Sequence, residues 1–298
     1  MNRAVLLSRS SLPGAVWEAL APYAELTKPR LVSMVLLSTA VGFCLADRSY
    51  GPLLFGFTLT ATFLVAASAM VLNQFLECET DRQMVRTQNR PLPSGRLEPQ
   101  NALLFGAGLS AAGFFIFIFM VNWISAFLAL LTWAGYLFVY TPLKKRTSLA
   151  TLIGAVPGAL PPAIGWAARE GHLQFETLIL FLIVFFWQIP HFLAIAWMHR
   201  DDYKRAGLAL LSTMDEEGKF MARQMVVNVS ALVPVSLLPT VFGLTGEIYF
   251  FGAFLLGIGF AGVIMFRAPH LDPRARYVLR ASVIYLAALL VLMVLNQG

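Results

Sequence analysis

From Phe175 to Met198 the chain reads FETLILFLIVFFWQIPHFLAIAWM, and the only Asp, Glu, Lys or Arg in this run is Glu176 at its start. An α-helix rises 1.5 Å per residue, so a helix of this length is about 36 Å long and crosses the roughly 30 Å hydrocarbon layer of a bilayer. The run therefore predicts a membrane-spanning helix.

The rest of the chain contains eight more runs of this kind. Of the 298 residues, 58% are hydrophobic and 13% are charged, whereas a soluble domain has roughly 25% charged residues. This composition excludes a soluble globular enzyme and predicts an all-α polytopic membrane protein with nine transmembrane helices in a lipid bilayer. The nine predicted spans are Leu31 to Ala46, Pro52 to Leu72, Ala102 to Val121, Trp123 to Tyr140, Leu149 to Ala168, Phe175 to Met198, Met225 to Gly243, Ile248 to Phe266 and Tyr277 to Leu295.

The basic residues orient these spans. If the N-terminus is cytoplasmic, that side holds every Lys and Arg except Arg48 and Arg169, as the positive-inside rule requires. We expect the C-terminus outside, a cytoplasmic lead-in over residues 1–30 and one transmembrane domain over residues 31–298. Topology accounts for the net charge of +6, and no water-facing domain remains, so we expect no nucleic-acid partner.

The first polar cluster follows the second span. Asn73, Glu77 and Asp81 are spaced at i, i+4 and i+8 and so share one face of a helix. Their oxygens suit Mg²⁺, and the guanidinium groups of Arg86 and Arg90 suit phosphate oxygens. A charged connecting loop is the alternative, but polar groups at the tail of an apolar run favour a site.

A second cluster follows the sixth span. Asp201 and Asp202 are flanked by bases, including Lys204. Two facing carboxylate sets could clamp a diphosphate through Mg²⁺, although such a pair could also belong only to a helix end.

Within the sixth span, His191 could ligate a metal or haem iron, transfer a proton or bind a neighbouring helix. Gln188 precedes His191 by about one helical turn, and it could be either the hydrogen-bond partner of His191 or a substrate contact.

Between the fourth and fifth spans, Tyr140 precedes Lys144 and Lys145. These lysines could bind phosphate or follow from topology alone.

At these residues the chain resembles the UbiA superfamily of intramembrane prenyltransferases, and within it the protoheme IX farnesyltransferases, or haem O synthases. The resemblance covers most of the chain, with Glu77 and Glu79 where aspartate is common. The matching stretches are Leu26 to Arg30, Asn73 to Gly95, Tyr140 to Thr147, Ile153 to Pro162, Trp187 to Phe192, Asp201 to Tyr203, and Ala206 with Gly207.

The resemblance implies nine helices bundled around a cavity, and Mg²⁺-dependent transfer of the farnesyl group of farnesyl diphosphate to the 2-vinyl group of haem B. Water supplies a hydroxyl, and haem O and diphosphate are the products. We expect the bacterial inner membrane, because the first 25 residues contain no convincing transit segment, and the mitochondrial inner membrane is the alternative. A haem A synthase or a terminal oxidase assembly factor is a candidate protein partner.

The resemblance also implies roles for the candidate site residues. Asn73, Glu77, Asp81, Asp201 and Asp202 are expected to be catalytic and to bind Mg²⁺. The expected substrate-binding residues are Arg86, Arg90, Lys144, Lys145, Tyr140, Gln188, His191, His199 and Lys204, with the two histidines as candidates for contact with haem iron or propionates.

Three other functions compete with this interpretation. A prenyltransferase acting on an aromatic acid or quinone precursor would form no haem product, and the WQIPHF stretch argues against it. A transporter or channel would place charges at the span centres, whereas here they lie at one side. A protein that only binds haem would not need two carboxylate clusters.

Overall fold

The computed structural model of the protein describes residues 12–46, 51–268 and 271–298, and within these ranges the regular structure is helical apart from one isolated bridge between Thr245 and Gln297. The helices are α1 (Leu12–Leu26), α2 (Pro29–Ala46), α3 (Pro52–Leu76), α4 (Cys78–Arg82), α5 (Pro99–Ile116), α6 (Trp123–Ala134), α7 (Thr141–Leu143), α8 (Ala150–Gly158), α9 (Pro161–Glu170), α10 (Phe175–Met198), α11 (Arg200–Arg205), α12 (Leu211–Met214), α13 (Lys219–Val235), α14 (Leu238–Val241), α15 (Glu247–Arg267) and α16 (Leu271–Leu295). Residues 1–11 of the predicted lead-in lie outside the described residues.

The predicted spans are confirmed. Nine helical segments of the described chain are long and apolar enough to cross a membrane, and they match the nine predicted runs one for one. Four of them are irregular. The third and fourth end in wider π-helical turns over Phe117–Val121 and Gly135–Tyr140. The fifth is broken into α8 and α9 before Pro161 and Pro162, because proline cannot donate the helical hydrogen bond. The seventh is broken into α13 and α14 after Val235.

The two largest apolar clusters of the described residues hold most of the helices together. The larger one joins α2, α8, α9, α10, α13, α15 and α16 through side chains such as Ile183, Val229 and Leu289. The smaller one joins α3, α6 and α9 through residues such as Val65 and Ile164. Helices α2 and α9 also pack directly on each other, so they connect the two clusters.

Two glycines allow the close approach of α2 and α9. A Cβ atom on Gly165 would lie 1.9 Å from the carbonyl oxygen of Thr39, and one on Gly42 would lie 2.0 Å from the carbonyl oxygen of Pro162. Both obstacles are backbone atoms, which cannot swing away as a side chain can. The two helices therefore pack at a distance that only glycine permits, as is common between membrane helices.

We expect Gly165→Ala to destabilise the fold by about 3 kcal/mol, because the added methyl group forces the two backbones apart. Thermal unfolding of the purified protein in detergent measures this loss. Gly108→Ala on α5 is the matched control, since a Cβ there meets nothing within 4 Å and alanine favours a helix. Equal melting temperatures for the two variants would contradict the close packing.

Candidate active site

A polar cavity of about 140 Å³ lies where α3 and the fourth span end. It collects charged and aromatic side chains from segments far apart in the sequence. Its lining residues are Lys28, Asn73, Glu77, Thr80, Asp81, Met84, Arg86, Arg90, Tyr136, Tyr140, Lys144, Tyr203, Leu208 and Leu210. Seven of the predicted site residues are among them, namely Asn73, Glu77, Asp81, Arg86, Arg90, Tyr140 and Lys144.

The predicted face of Asn73, Glu77 and Asp81 is present even though the helix is interrupted. Glu77 separates α3 from α4. The helical hydrogen bonds continue across this break, because the Glu77 amide donates to the Asn73 carbonyl at 2.9 Å and the Asp81 amide donates to the Glu77 carbonyl at 2.7 Å. All three side chains therefore reach the same cavity.

Glu77 is bound by a lysine and an amide. The Lys144 ammonium donates to both carboxylate oxygens of Glu77, at 2.9 and 3.0 Å, and Asn73 Nδ2 donates to Glu77 Oε2 at 3.0 Å. Burial acts to lower the pKa of Lys144, but nearby Tyr140 and Glu77 outweigh it and raise that pKa above its ordinary value. Lys144 is therefore a fixed cation at the cavity wall.

Asp81 is paired with an arginine. Arg90 donates to Asp81 Oδ2 at 2.7 Å, and the carboxylate side chain is only 2% exposed. The Thr87 hydroxyl donates to the Asp81 backbone carbonyl at 2.8 Å, so the loop that carries Arg90 folds back onto the acidic residue. This pair aligns a carboxylate and a guanidinium on one wall.

The π-helical turn of the fourth span brings two tyrosines to the cavity. The rings of Tyr136 and Tyr140 lie 5.5 Å apart, and the Lys144 ammonium is 4.5 Å from the centre of the Tyr140 ring. A Cβ on Gly154 would lie 2.4 Å from the Tyr140 ring, so the fifth span needs glycine there. Tyr140 was predicted, whereas Tyr136 was missed because a regular helical period does not anticipate the wider turn.

Sequence reasoning also missed Lys28. This residue has a positive φ of 47°, which is rare for a side chain other than glycine, and it directly precedes Pro29 at the start of the first span. Burial, followed by the charges of Arg90 and Lys144, lowers the pKa of Lys28 to about 7. Its place in the Leu26 to Arg30 stretch was the signal that could have identified it.

Arg86 reaches the cavity next to another missed residue, Tyr203. The guanidinium of Arg86 lies 3.5 Å from the Tyr203 hydroxyl and 5.9 Å from the centre of its ring. Tyr203 directly follows Asp201 and Asp202. The second cluster thus contributes to the cavity through its tyrosine.

The two aspartates themselves do not line the cavity, which differs from the expected second carboxylate set. Asp201 is exposed. Asp202 accepts hydrogen bonds from the Val85 amide at 3.1 Å and the Arg86 amide at 3.4 Å, and it is also bound by Arg205. Burial opposes its ionisation, but these donors outweigh burial and lower the pKa of Asp202. The structure therefore makes Asp202 an anchor for the loop that carries Arg86.

The other predicted residues lie outside the cavity. Lys145 and Lys204 are exposed. The half-buried ring of His199 lies 6.5 Å from that of Tyr203, and burial, with the charge of Arg86, lowers its pKa.

Gln188 is not the partner of His191. It is buried, and its amide donates to the carbonyl oxygens of Ala155 and Val184, both at 3.1 Å. His191 instead contacts Ser282. The helical spacing of the two residues placed them near each other but could not show which neighbouring helix each one meets.

An apolar pocket lies deeper along the same helices, with a volume of about 30 Å³. Ala69 lines it one turn below Asn73 on α3, and Trp133 lines it one turn below Tyr136. Val35, Phe117 and Pro161 complete much of its wall. The polar cavity therefore lies above an apolar space.

A family model and the most similar relatives described here all point to prenyltransferases. The UbiA prenyltransferase family model matches residues 35–289. The chain is 44% identical over 287 residues to a protoheme IX farnesyltransferase of Solibacter usitatus, covering 92% of this chain and 98% of the relative. It is 41% identical over 278 residues to a protein of the same name from Salinibacter ruber, covering 92% and 98%.

Solved structures share the fold. A structure of digeranylgeranylglyceryl phosphate synthase superposes with a TM-score of 0.78 at 20% identity, covering 94% of this chain and 98% of that one. A UbiA homologue from Archaeoglobus fulgidus, bound to DMAPP and Mg²⁺, superposes with a TM-score of 0.68 at 15% identity, covering 91% and 98%. At these identities the likeness establishes the fold alone.

The position of Asp202 predicts a local effect of its removal. We expect Asp202→Ala to speed hydrogen exchange at the Val85 and Arg86 amides roughly tenfold or more, because a hydrogen bond to a charged acceptor contributes about 1.5–3 kcal/mol. Amide exchange read by mass spectrometry or NMR measures it. The matched control is Asp201→Ala, which should leave both amides protected, and equal exchange in the two variants would contradict the anchoring contact.

Proposed function

The chain belongs to the UbiA prenyltransferase family, and we propose that it transfers the farnesyl group of farnesyl diphosphate to the 2-vinyl group of haem B, with addition of water, to give haem O and diphosphate. The observation that carries this proposal is the polar cavity, in which cations and carboxylates meet at the end of apolar helices. The two relatives described above are named for this activity, and the chain matches each of them over nearly its whole length.

The charge of the cavity suits a diphosphate. Four basic residues and two carboxylates line it, an excess of two basic groups (4 − 2). Two of the bases, Lys144 and Arg90, are paired with Glu77 and Asp81. The other two, Lys28 and Arg86, face the same space and are the proposed first contacts of the phosphate oxygens.

The donor set also fits Mg²⁺. Asn73, Glu77 and Asp81 offer amide and carboxylate oxygens, which are the hard ligands that this ion takes, with substrate phosphates completing its shell. In the described residues, groups of three or more His, Cys, Asp or Glu that could hold a metal ion do not occur. In our proposal these side chains and the diphosphate would hold the ion jointly, and it would neutralise charge on the leaving group.

The residues of the chain promote breakage of the bond between farnesyl C1 and the diphosphate oxygen. The bonding pair leaves with the diphosphate, and Lys28, Arg86, Arg90 and Lys144 stabilise the developing negative charge. The rings of Tyr136 and Tyr140 line the cavity, and we expect them to stabilise the allylic cation. The haem vinyl group then supplies an electron pair to C1, and water captures the cation formed next to the porphyrin with loss of a proton.

The deeper apolar pocket supports an isoprenoid donor. It begins about one helical turn below Asn73 and Tyr136, so a diphosphate in the polar cavity would direct its hydrocarbon tail towards Ala69 and Trp133. Apolar walls exclude water from the cation until the vinyl group has reacted. A donor with a charged head and an apolar tail matches this order of surfaces, and the pocket of about 30 Å³ would hold only the part of the tail next to the diphosphate.

The proposed location is the bacterial inner membrane, with the polar cavity open to the cytoplasm. The twenty basic residues that the positive-inside rule assigns to the cytoplasmic side include all four that line the cavity, and short chain segments connect the opposite ends of the spans. Farnesyl diphosphate would reach the site from the cytoplasm, while haem B would enter from the lipid.

The reaction is tested with purified protein, Mg²⁺, farnesyl diphosphate and haem B, with haem O detected by mass spectrometry. We expect product from the wild-type protein and a loss of at least about 100-fold in Asp81→Ala, because a group that stabilises charge in the transition state is removed. Glu98→Ala is the control, since Glu98 is an exposed acid on the same side of the membrane and outside the cavity.

A different product would overturn the haem assignment. Prenylation of a quinone precursor, without haem O, would leave only the family function. Equal activity of Asp81→Ala and Glu98→Ala would contradict the proposed site while leaving the reaction in place.

The lowered pKa of Lys28 predicts a pH dependence. Below about pH 7 Lys28 is charged and attracts phosphate, and between pH 6 and 8 its protonated fraction falls from roughly nine-tenths to roughly one-tenth. We expect the affinity of the wild-type protein for inorganic diphosphate to fall over this interval relative to that of Lys28→Arg, which stays charged. Calorimetric titration measures both, and parallel pH profiles would contradict the assigned pKa.

A further inference from the structure

His191 makes a side-chain contact that joins two membrane helices. Its Nδ1 lies 2.8 Å from the hydroxyl oxygen of Ser282, which is buried on α16. The Ser282 hydroxyl in turn donates to the backbone carbonyl of Leu279 at 2.7 Å. The imidazole, the hydroxyl and the carbonyl therefore form a chain of two hydrogen bonds.

This chain favours one position for the imidazole proton. A serine hydroxyl has one hydrogen, and a carbonyl oxygen can only accept. With the Ser282 hydrogen donated to Leu279, the hydroxyl oxygen accepts from His191 and Nδ1 carries the hydrogen, and we adopt this tautomer for the proposal below. In the neutral imidazole, Nε2 then has a free lone pair. The described part of the chain provides no hydrogen-bond partner for Nε2.

Aromatic residues hold the imidazole in one orientation. The Trp187 ring stacks on it, with centres 4.8 Å apart and planes at 28°, and the Phe192 ring meets it edge on at 5.6 Å. Trp187 is fixed by its own hydrogen bond, from Nε1 to the Ser282 backbone carbonyl at 2.6 Å. His191 itself is only half-buried, so the imidazole is oriented without being fully enclosed.

We propose that His191 Nε2 is the axial ligand of the iron in the haem substrate, and that Ser282 is the positioning residue that fixes its tautomer; this inference rests on the proposed function. Histidines that bind metals characteristically donate their second ring N–H to an oxygen, which orients the ring and makes the free nitrogen a better ligand. His191 has this arrangement, in an aromatic surrounding that suits a porphyrin.

The position of His191 suits a substrate that must meet the farnesyl group. It lies eight residues before His199 on the same helix, about 12 Å of helix rise, and the His199 ring lies next to Tyr203 of the polar cavity. Iron ligated at His191 would place the porphyrin about this distance along α10 from the mouth of the polar cavity. The ligand would thereby position the vinyl group without taking part in the bond changes.

Resonance Raman spectroscopy of ferrous haem bound to the purified protein tests the iron ligand. We expect an iron–histidine stretching band in the wild-type protein and its loss in His191→Ala. His172→Ala is the matched control, because His172 is an exposed histidine on the connection between the fifth and sixth spans and its removal should leave the band in place. Persistence of the band in His191→Ala would overturn the proposal.

Ser282→Ala isolates the positioning contact. It removes the hydroxyl that His191 binds but retains the backbone carbonyl that accepts from Trp187, so the indole stays anchored. We expect the iron–histidine band to remain but to move to lower frequency, and haem affinity to fall about tenfold, as is usual when the partner of a ligating histidine is lost. Ser282→Thr, which keeps a hydroxyl, should restore both. A purely structural contact between the helices would leave the band of Ser282→Ala unshifted.

The spectra and the product assay separate the two proposals. If the wild-type protein forms haem O but His191→Ala retains the band, the inference fails and the proposed function stands. If no haem O forms but haem binds with a band that depends on His191, the proposed function fails and the ligand assignment stands. If His191→Ala does not fold, the band position in Ser282→Ala decides.

Discussion

The structure depends on keeping charges out of the hydrocarbon layer except where they are paired. An isolated charge at the centre of a bilayer costs several kcal/mol or more. The described chain meets this constraint by gathering the residues of the polar cavity at one end of the spans. There Glu77 is paired with Lys144 and Asp81 with Arg90. Because they are paired, these charged groups can lie against apolar helices, and both pairs line the polar cavity.

Backbone irregularities occur where this cavity forms. The helix is interrupted at Glu77, the fourth span widens into a π-helical turn before Tyr140, and Lys28 adopts a positive φ. Departures from regular geometry are frequent at functional sites, where they direct side chains that a regular helix would point elsewhere. Away from the cavity, Gly42 and Gly165 let α2 and α9 pack closely, so the two apolar clusters remain in contact.

The spans and the first polar cluster could be predicted because both depend on local spacing. Apolar length gives the nine helices, and the i, i+4, i+8 pattern gives the shared face of Asn73, Glu77 and Asp81. Contacts between distant segments could not be predicted in this way. Asp202 binds amides more than a hundred residues away, Gln188 turns to α8 instead of His191, and Lys28 meets Arg90 and Lys144 only in the folded bundle. Helical periodicity contains no information about such neighbours.

We propose that the polar cavity binds a prenyl diphosphate together with Mg²⁺, and the rest of the proposed reaction depends on this binding. The most direct measurement is calorimetric titration of the purified protein with farnesyl thiolodiphosphate, whose bridging sulfur slows ionisation, in the presence of Mg²⁺ and of a chelator. We expect the analogue to bind only when Mg²⁺ is present, and we expect inorganic diphosphate to displace it. Equal affinity in the chelator, with no competition by diphosphate, would contradict it.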